Sequence, residues 1–192
     1  MANIDKLIPH ILKWETGVSQ LYRESPERLF ERSRRKGWAN DPADKGGATQ
    51  SGVTLKTFTQ YRKAVGKSKP SVQDLKAITY KEWRDVLMMF FWDKAKAEAI
   101  KDDSVAAMIV DWYWGSGAWA LKNTQKVLGV TRDGIFGSKT LAAINGWKNG
   151  QRDLFYALKA ERIAYYKRIA VGSQKKWLKG WLNRVNDLHY EE

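Results

Sequence analysis

Residues 40–54 read Asn-Asp-Pro-Ala-Asp-Lys-Gly-Gly-Ala-Thr-Gln-Ser-Gly-Val-Thr and interrupt a chain whose apolar residues otherwise follow helical spacing. The Asn-Asp-Pro and Gly-Gly sequences are typical of turns. Ala48–Thr49 and Val53–Thr54 have the composition of short strands on either side of a tight turn. This stretch predicts a β-hairpin, and we expect a mainly α fold, a helical bundle with one small N-terminal β-hairpin.

Helices separated by glycines are expected on both sides of the hairpin. The first helix has apolar residues three and four positions apart, which gives it one buried face: Ile4, Leu7, Ile8, Ile11 and Leu12. Gly17 then allows the left-handed turn that commonly ends a helix. Thr79 and Glu82 form a capping box that begins a later helix. The remaining helices are predicted at about 55–65, 104–115, 117–128, 138–146, 151–170 and 174–188.

The basic charge of the chain is spread along its length. The 192 residues include 34 Lys and Arg against 21 Asp and Glu, which gives a net charge of +13. Basic and acidic groups number 12 and 7 in residues 1–66, 13 and 9 in 67–150, and 9 and 5 in 151–192. This even distribution, without a nucleic-acid motif, favours an anionic surface over a nucleic acid as the partner. Ten Trp residues add aromatic faces that stack on sugars, so a sugar polymer fits the composition.

Composition also excludes several classes of protein. The chain has no Cys, which excludes disulfides and thiolate zinc sites, and only two His, which disfavours a histidine-rich metal site or a Ser-His-Asp triad. Charged residues among the first 15 break any signal-peptide core. The longest apolar stretch, residues 105–121, contains Asp111 and two Gly, which is typical of a buried helix and a turn. We therefore expect no cofactor, no metal and no integral membrane segment.

Glu15 has two placements that disfavour the charged form of its carboxyl group. It continues the apolar face of the first helix, four residues after Ile11, and it lies at the helix C-terminus. Desolvation and the negative end of the helix dipole both oppose ionisation. A carboxyl group that stays protonated near neutral pH can act as the general acid of glycoside cleavage. The alternative is a helix that ends earlier and leaves Glu15 solvated.

The hairpin supplies a second group of candidates. Asp44 precedes the Gly-Gly turn, and Thr49 and Thr54 lie in the predicted strands. A hairpin of this kind can hold a second carboxylate and hydroxyl groups opposite the end of the first helix. The alternative is an Asp that bonds only the backbone of its own turn.

Asp111, Tyr113 and Trp114 form a third group, within the sequence Asp-Trp-Tyr-Trp-Gly-Ser-Gly. Aromatic side chains at a helix end suit the apolar faces of sugar rings, and Tyr and Trp also carry polar atoms. The alternative is a core helix whose Asp bonds a neighbouring backbone group.

Together these residues form a pattern that resembles the glycoside hydrolase family 108 lysozymes, which are phage and prophage N-acetylmuramidases. The family typically has Glu-Gly-Gly-aromatic and then Asp-x-Gly-Gly-x-Thr-x-x-Gly-Ile-Thr. This chain has Glu15-Thr-Gly and then Asp44-Lys-Gly-Gly-Ala-Thr-Gln-Ser-Gly-Val-Thr. The resemblance spans nearly the whole chain and continues in Phe91-Trp-Asp-Lys, Asp111-Trp-Tyr-Trp-Gly-Ser-Gly, Gln125-Lys-Val-Leu-Gly-Val, Asp133-Gly-Ile-Phe-Gly and Gly180-Trp-Leu-Asn-Arg.

The resemblance implies a lysozyme-like α+β fold and hydrolysis of the β-1,4 bond between N-acetylmuramic acid and N-acetylglucosamine. It implies that Glu15 is the general acid and that Asp44 and Thr49 assist catalysis. The substrate-binding residues would then be Thr54, Asp111, Tyr113 and Trp114. We expect a catalytic region over residues 1–100, and a helical region over 101–192 that resembles a predicted peptidoglycan-binding domain and packs with it into one globular unit.

Residues 19–38 form an insertion relative to the family pattern. Ser25-Pro26-Glu27 has the residues of an N-cap and first turn, which predicts a short helix over about 25–37 that ends at Gly37. The segment carries several cationic side chains: Arg23, Arg28, Arg32, Arg34, Arg35 and Lys36. We expect it to form a cationic flap beside the cleft and to be dispensable for folding.

A second hypothesis is a cell-wall-binding protein with weak or no catalysis. Thr16 and Val18 favour it, because the family has Gly and an aromatic residue at these positions, whereas Glu15, Asp44 and Thr49 favour an enzyme. In either case we expect a monomer whose partner is peptidoglycan. Without a visible signal peptide, we expect synthesis in the cytoplasm and holin-dependent release to the wall, as for a bacteriolytic prophage endolysin.

Overall fold

The computed structural model describes residues 1–40 and 47–192. The α-helices of this part are α1 (Ile4–Thr16), α2 (Pro26–Ser33), α3 (Leu55–Ala64), α4 (Val72–Lys76), α5 (Tyr80–Leu87), α6 (Asp103–Ser116), α7 (Ala118–Leu128), α8 (Ser138–Asn145), α9 (Gln151–Ile169) and α10 (Leu178–Asn186). A π-helix and two 3-10 helices add the short elements Met88–Trp92, Ala97–Ala99 and Gly172–Trp177. One antiparallel sheet has the strand order β1 (Trp38–Ala39), β2 (Thr49–Gln50) and β3 (Val53–Thr54). The fold is mainly α with a small β element, as predicted.

Two compact units make up the chain. The first, which we call the hairpin unit, comprises residues 7–90 and contains the sheet. The second, which we call the helical unit, comprises residues 1–6 and 91–192 and contains α6 to α10. Every helix within the described residues is too short or too polar to cross a lipid bilayer.

The hairpin forms where the sequence predicts it. Strands β2 and β3 pair with Thr49 opposite Thr54, on either side of a two-residue turn. The turn residues Ser51 and Gly52 have φ angles of +47° and +82°, a left-handed pair that matches the twist of the two strands. Strand β1 pairs with β2 and is not predicted, because two residues are too few to show an alternating pattern.

The apolar face of α1 is buried as its spacing predicts. Within the hairpin unit, Leu7 is 1% exposed, and Ile8, Ile11 and Leu12 are fully buried. Gly17 has a φ angle of +69°, and its N–H donates to the carbonyl oxygen of Lys13 at 2.8 Å. This bond closes the last turn of the helix, so the predicted glycine stop is confirmed.

Other helix boundaries depend on polar caps. Both hydrogen bonds of the capping box between Thr79 and Glu82 are present at the start of α5, as predicted. Helix α6 begins earlier than predicted, because the carboxylate of Asp102, not the hydroxyl of Ser104, accepts from the N–H of Val105 at 2.9 Å. The stretch predicted as one helix over 174–188 is instead a 3-10 helix followed by α10.

Helix α2 is part of the core of the hairpin unit, which argues against the expectation that residues 19–38 are dispensable for folding. Leu29 and Phe30 are fully buried. The ring of Phe30 lies 5.6 Å from that of Trp83 and 5.8 Å from that of Tyr80, both on α5. Leu29 and Phe30 thus anchor this segment in the core, although its many cationic side chains predicted a surface flap. The helix also ends at Ser33, before the predicted stop at Gly37.

Two of the cations in this segment are engaged in structural contacts. Arg32 donates to both carboxylate oxygens of Glu24, at 2.8 and 2.7 Å. These bonds, together with the N–H of Leu21, lower the pKa of Glu24 to about 2. Arg34 donates to the carbonyl oxygen of Ile78 at 2.9 Å. The segment therefore presents fewer unengaged charges than its composition suggests.

The helical unit is built around α6. Its side chains Val105, Ile109 and Trp112 are fully buried. Helix α6 packs against α7 and α9, and α9 packs against α10. The first residues of the chain also belong to this unit, since the N–H of Ala2 donates to the carbonyl oxygen of Ile100 at 3.0 Å.

We expect Phe30→Ala to lower the free energy of unfolding by about 3–5 kcal/mol, because it removes a fully buried ring and leaves a cavity. Arg28→Ala on the exposed face of the same helix is the matched control, with an expected change within about 0.5 kcal/mol. Urea unfolding followed by circular dichroism measures both. Equal stability of Phe30→Ala and the unaltered protein would show that α2 does not stabilise the core and would support a dispensable flap.

Candidate active site

Glu15 lies in the last turn of α1, and its side chain is half-buried. The backbone around it is fixed by the next residue. The hydroxyl of Thr16 donates to the carbonyl oxygen of Leu12 at 2.6 Å and accepts from the N–H of Val18 at 3.2 Å. Val18 is itself buried. The predicted general acid is therefore held at a rigid helix end and keeps part of its surface accessible.

Thr49 and Thr54 are brought together as neighbours on β2 and β3, and both are half-buried. The hydroxyl of Thr54 already has a structural role. It accepts from the N–H of Thr57 at 3.1 Å, which caps α3, and it lies 3.0 Å from the hydroxyl of Thr57. The hydrogen bonds of the described residues give Thr49 no comparable cap. Asp44, the second predicted carboxylate, lies outside the described residues.

Ser51 in the turn of the hairpin is fully buried, and three contacts hold the hairpin in place. The N–H of Ser51 donates to the carbonyl oxygen of Gly37 at 2.7 Å. The indole N–H of Trp83 donates to the carbonyl oxygen of Ser51 at 2.9 Å. The side-chain amide of Gln50 donates to the carbonyl oxygen of Arg34 at 2.9 Å. These bonds connect the strands that carry Thr49 and Thr54 to the end of α2 and to α5.

Gly37 allows this arrangement because it has no side chain. A Cβ atom at this position would overlap the hydroxyl oxygen of Ser51 and would lie 3.1 Å from its Cα. The sequence suggests only a helix stop at Gly37, since the close approach involves a residue 14 positions away along the chain.

We expect Gly37→Ala to destabilise the protein by about 1–3 kcal/mol, because the added methyl group must displace the buried turn. It should also reduce hydrolysis by moving Thr49 and Thr54. Gly180→Ala is the control, since no atom lies within 4 Å of its new Cβ. Alanine is the better helix former, so the control should stabilise α10 by about 1 kcal/mol. Thermal unfolding measures both changes, and an unaffected Gly37→Ala protein would show that the turn has room to adjust.

Asp111 has a placement that does not fit a substrate-binding role. Its side chain is fully buried in the helical unit. One carboxylate oxygen accepts from Arg162 on α9 at 2.7 Å, and the other accepts from Arg184 on α10 at 2.8 Å. Asp111 therefore joins α6 to α9 and α10. The sequence offers no signal for this role, because the partners lie 51 and 73 residues away.

Tyr113 and Trp114 are brought together around Phe91. The ring of Phe91 lies 5.3 Å from that of Tyr113, edge to face, and 4.7 Å from that of Trp114. All three side chains are half-buried. Burial raises the pKa of the Tyr113 hydroxyl, which keeps it a hydrogen-bond donor. This aromatic cluster of the helical unit has the composition of a sugar-binding surface.

We expect Asp111→Asn to lower the free energy of unfolding by about 3–5 kcal/mol, because it leaves the fully buried Arg162 without its counter-charge. Glu192→Gln is the control, since it breaks an exposed ion pair with Arg152 that is worth about 0–1 kcal/mol. Chemical unfolding of both variants measures the difference. A loss of wall binding by Asp111→Asn at unchanged stability would instead favour the substrate contact that the sequence suggested.

Known protein families and a solved structure match this chain. A family model described as glycosyl hydrolase 108 matches residues 32–117, and one described as a predicted peptidoglycan domain matches residues 119–186. The solved structure of SagA from Brucella abortus is 30% identical, with a TM-score of 0.71, over 95% of this chain and 89% of that chain. The chain belongs to glycosyl hydrolase family 108. No curated protein sequence gives a match.

Membership of glycosyl hydrolase family 108, with an adjoining peptidoglycan domain, gives the general activity. The protein is a glycoside hydrolase that acts on peptidoglycan, and peptidoglycan is its partner. Residues 1–40 and 47–192 contain no group of three or more His, Asp or Glu side chains able to hold a metal ion.

The family matches cover the candidate residues unevenly. The hairpin with Thr49 and Thr54 lies inside the glycosyl hydrolase 108 match, whereas Glu15 precedes its first matched residue. The role of Glu15 therefore stays a prediction.

The two family matches adjoin at residues 117–119, and the compact units are divided at residues 90–91. The division at residue 100 also stays a prediction.

Proposed function

We propose that the protein is an N-acetylmuramidase, which cleaves the β-1,4 bond between N-acetylmuramic acid and N-acetylglucosamine with Glu15 as the general acid. The observation that carries this proposal is the environment of Glu15. Glu15 is half-buried at the C-terminal end of α1, where the hydrogen bonds of the Thr16 hydroxyl and the Gly17 N–H fix the backbone. Rigid support and partial burial are what a proton donor to a bound sugar requires.

The reaction needs one proton donated and one water added. Glu15 donates its proton to the glycosidic oxygen as the bond between that oxygen and the sugar C1 breaks. The oxygen of a water molecule then bonds to C1, and the proton that the water loses goes to one of two carboxylates, Asp44 or the deprotonated Glu15. Asp44 is our candidate for the second group. It either orients the water or stabilises the positive charge that develops on the ring, and the hydroxyl of Thr49 helps to orient it.

The departures from the family pattern at Thr16 and Val18 are compatible with an enzyme. Thr16 bonds two backbone groups of the helix end, and Val18 is 8% exposed. Both residues thus pack the end of α1, while Glu15 beside them remains half-exposed. This observation favours the muramidase over a wall-binding protein that has lost catalysis.

We expect Glu15→Gln to fold normally and to lower the rate of peptidoglycan hydrolysis by about 10²–10⁴-fold, because glutamine keeps the size but its amide is too weak an acid to transfer a proton. Glu27→Gln is the control, since it makes the same charge change at an exposed position of α2. Clearing of a suspension of purified peptidoglycan gives the rate. Wild-type clearing by a folded Glu15→Gln protein would remove Glu15 from the mechanism.

Two further measurements extend this test. Reduction of the products with borohydride should label N-acetylmuramic acid, since the proposed cleavage exposes its reducing end. Labelled N-acetylglucosamine would identify a different bond. Asp44→Asn should cost less activity than Glu15→Gln if Asp44 only orients water, and a comparable loss would make Asp44 the base or nucleophile.

A further inference from the structure

Helices α7 and α9 border a groove of about 510 Å³ that lies within the helical unit. The residues of its lining that matter here are Trp119, Asn123, Lys126, Arg132, Tyr165 and Arg168. None of them belongs to the candidate residues for hydrolysis. The groove combines an aromatic platform with a surplus of positive charge, and each of these features points to a part of one ligand.

Trp119 provides the aromatic platform. It is 58% exposed, so much of its indole surface is accessible to a ligand in the groove. The ammonium group of Lys122 lies 5.8 Å from the centre of its ring. Tyr165, only 9% exposed, contributes a second aromatic side chain to the same groove. An exposed indole in a groove is the surface on which the apolar face of a sugar ring stacks.

The cations of the groove are only partly neutralised. Lys126 binds the carboxylate of Glu161 at 2.8 Å, and Arg168 lies 3.9 Å from the same carboxylate. Arg132 donates only to uncharged oxygens, the carbonyl of Lys122 at 3.3 Å and the amide of Asn123 at 3.4 Å. In the part of the chain that the structure describes, no carboxylate pairs with Arg132. The single carboxylate of Glu161 thus pairs with two of these three cations and, among the described residues, leaves Arg132 without a counter-charge, so the groove keeps a surplus of positive charge that can bind an anion.

We propose that this groove is a peptidoglycan-binding subsite, in which a sugar ring stacks on Trp119 while a carboxylate of the attached peptide binds Arg132 and Arg168. Peptidoglycan supplies both groups on one molecule, because short peptides with free carboxylates are attached to its sugars. Guanidinium groups bind carboxylates through paired, charge-assisted hydrogen bonds. The inference rests on the proposed function for its ligand, but it involves no residue of the hydrolytic step.

The test uses a soluble muropeptide, the disaccharide N-acetylglucosaminyl-N-acetylmuramic acid with its tetrapeptide. This probe lacks the bond that the proposed muramidase cleaves, so binding is measured independently of Glu15. In calorimetric titrations we expect Trp119→Ala and Arg132→Ala each to weaken binding about tenfold, which corresponds to about 1.4 kcal/mol. Melting curves check that both variants fold.

Matched controls lie elsewhere in the helical unit. Trp177 is 54% exposed and has Lys176 over its ring at 4.9 Å, so Trp177→Ala removes an equivalent indole outside the groove. Arg152→Ala removes an exposed cation that pairs with Glu192. Both controls should retain wild-type affinity. Equal losses in the controls, unchanged affinity of the groove variants, or no measurable binding by the unaltered protein would each overturn the proposal.

A second probe separates the two parts of the ligand. Chitotriose has sugar rings without carboxylates, so Trp119→Ala should weaken its binding, whereas Arg132→Ala should not. Cell walls before and after removal of teichoic acid with hydrofluoric acid test the other anion of the wall. If Arg132→Ala weakens binding only to walls that retain teichoic acid, the anion that Arg132 binds is a teichoic acid phosphate. That result would overturn the assignment of a peptide carboxylate. Failure of the Glu15→Gln test leaves all these binding results interpretable.

Discussion

The helical unit depends on one buried ion network, the carboxylate of Asp111 between Arg162 and Arg184. Removing such charges from water costs several kcal/mol per ion, and the cost is offset only when every polar atom finds a partner. Here both oxygens of Asp111 are bonded, and Arg162 also donates to the hydroxyl of Tyr166 at 3.1 Å. The network therefore joins α6, α9 and α10 through one buried carboxylate.

That arrangement positions both surfaces that we connect with sugar binding. Tyr113 and Trp114 lie two and three residues after Asp111 on α6, so the bonds of the carboxylate hold the helix end that carries the aromatic cluster. Tyr165 lies three residues after Arg162 on α9, on the same side of the helix, and contributes to the groove with Trp119. A single buried carboxylate thus joins the helices that carry Tyr113, Trp114 and Tyr165.

In the hairpin unit, the strands are held in position by hydrogen bonds and by a close backbone approach that is possible because Gly37 has no side chain. Ser51 is buried between the backbone of Gly37 and the indole of Trp83, and Phe30 packs on the same indole. Trp83 consequently supports both α2 and the strands that carry Thr49 and Thr54. The net charge of +13 describes the attraction of the whole protein to an anionic wall. The net charge does not show which cations contact the wall, because Arg34, Arg162 and Arg184 are engaged in hydrogen bonds and ion pairs within the protein.

The sequence by itself determined whatever depends on residues close together along the chain. The buried face of α1, its end at Gly17, the capping box of Thr79 and Glu82, and the β2–β3 hairpin all follow from local spacing and backbone preferences. The position of Glu15 at a helix end belongs to this class. Only the tertiary structure decided that α2 is core, that Asp111 is a buried ion partner, and that Trp119 and Arg132 share a groove. In each case the deciding partners lie on other helices, strands or loops, and the cost of burying a charge or overlapping a side chain is set by neighbours that local sequence does not specify.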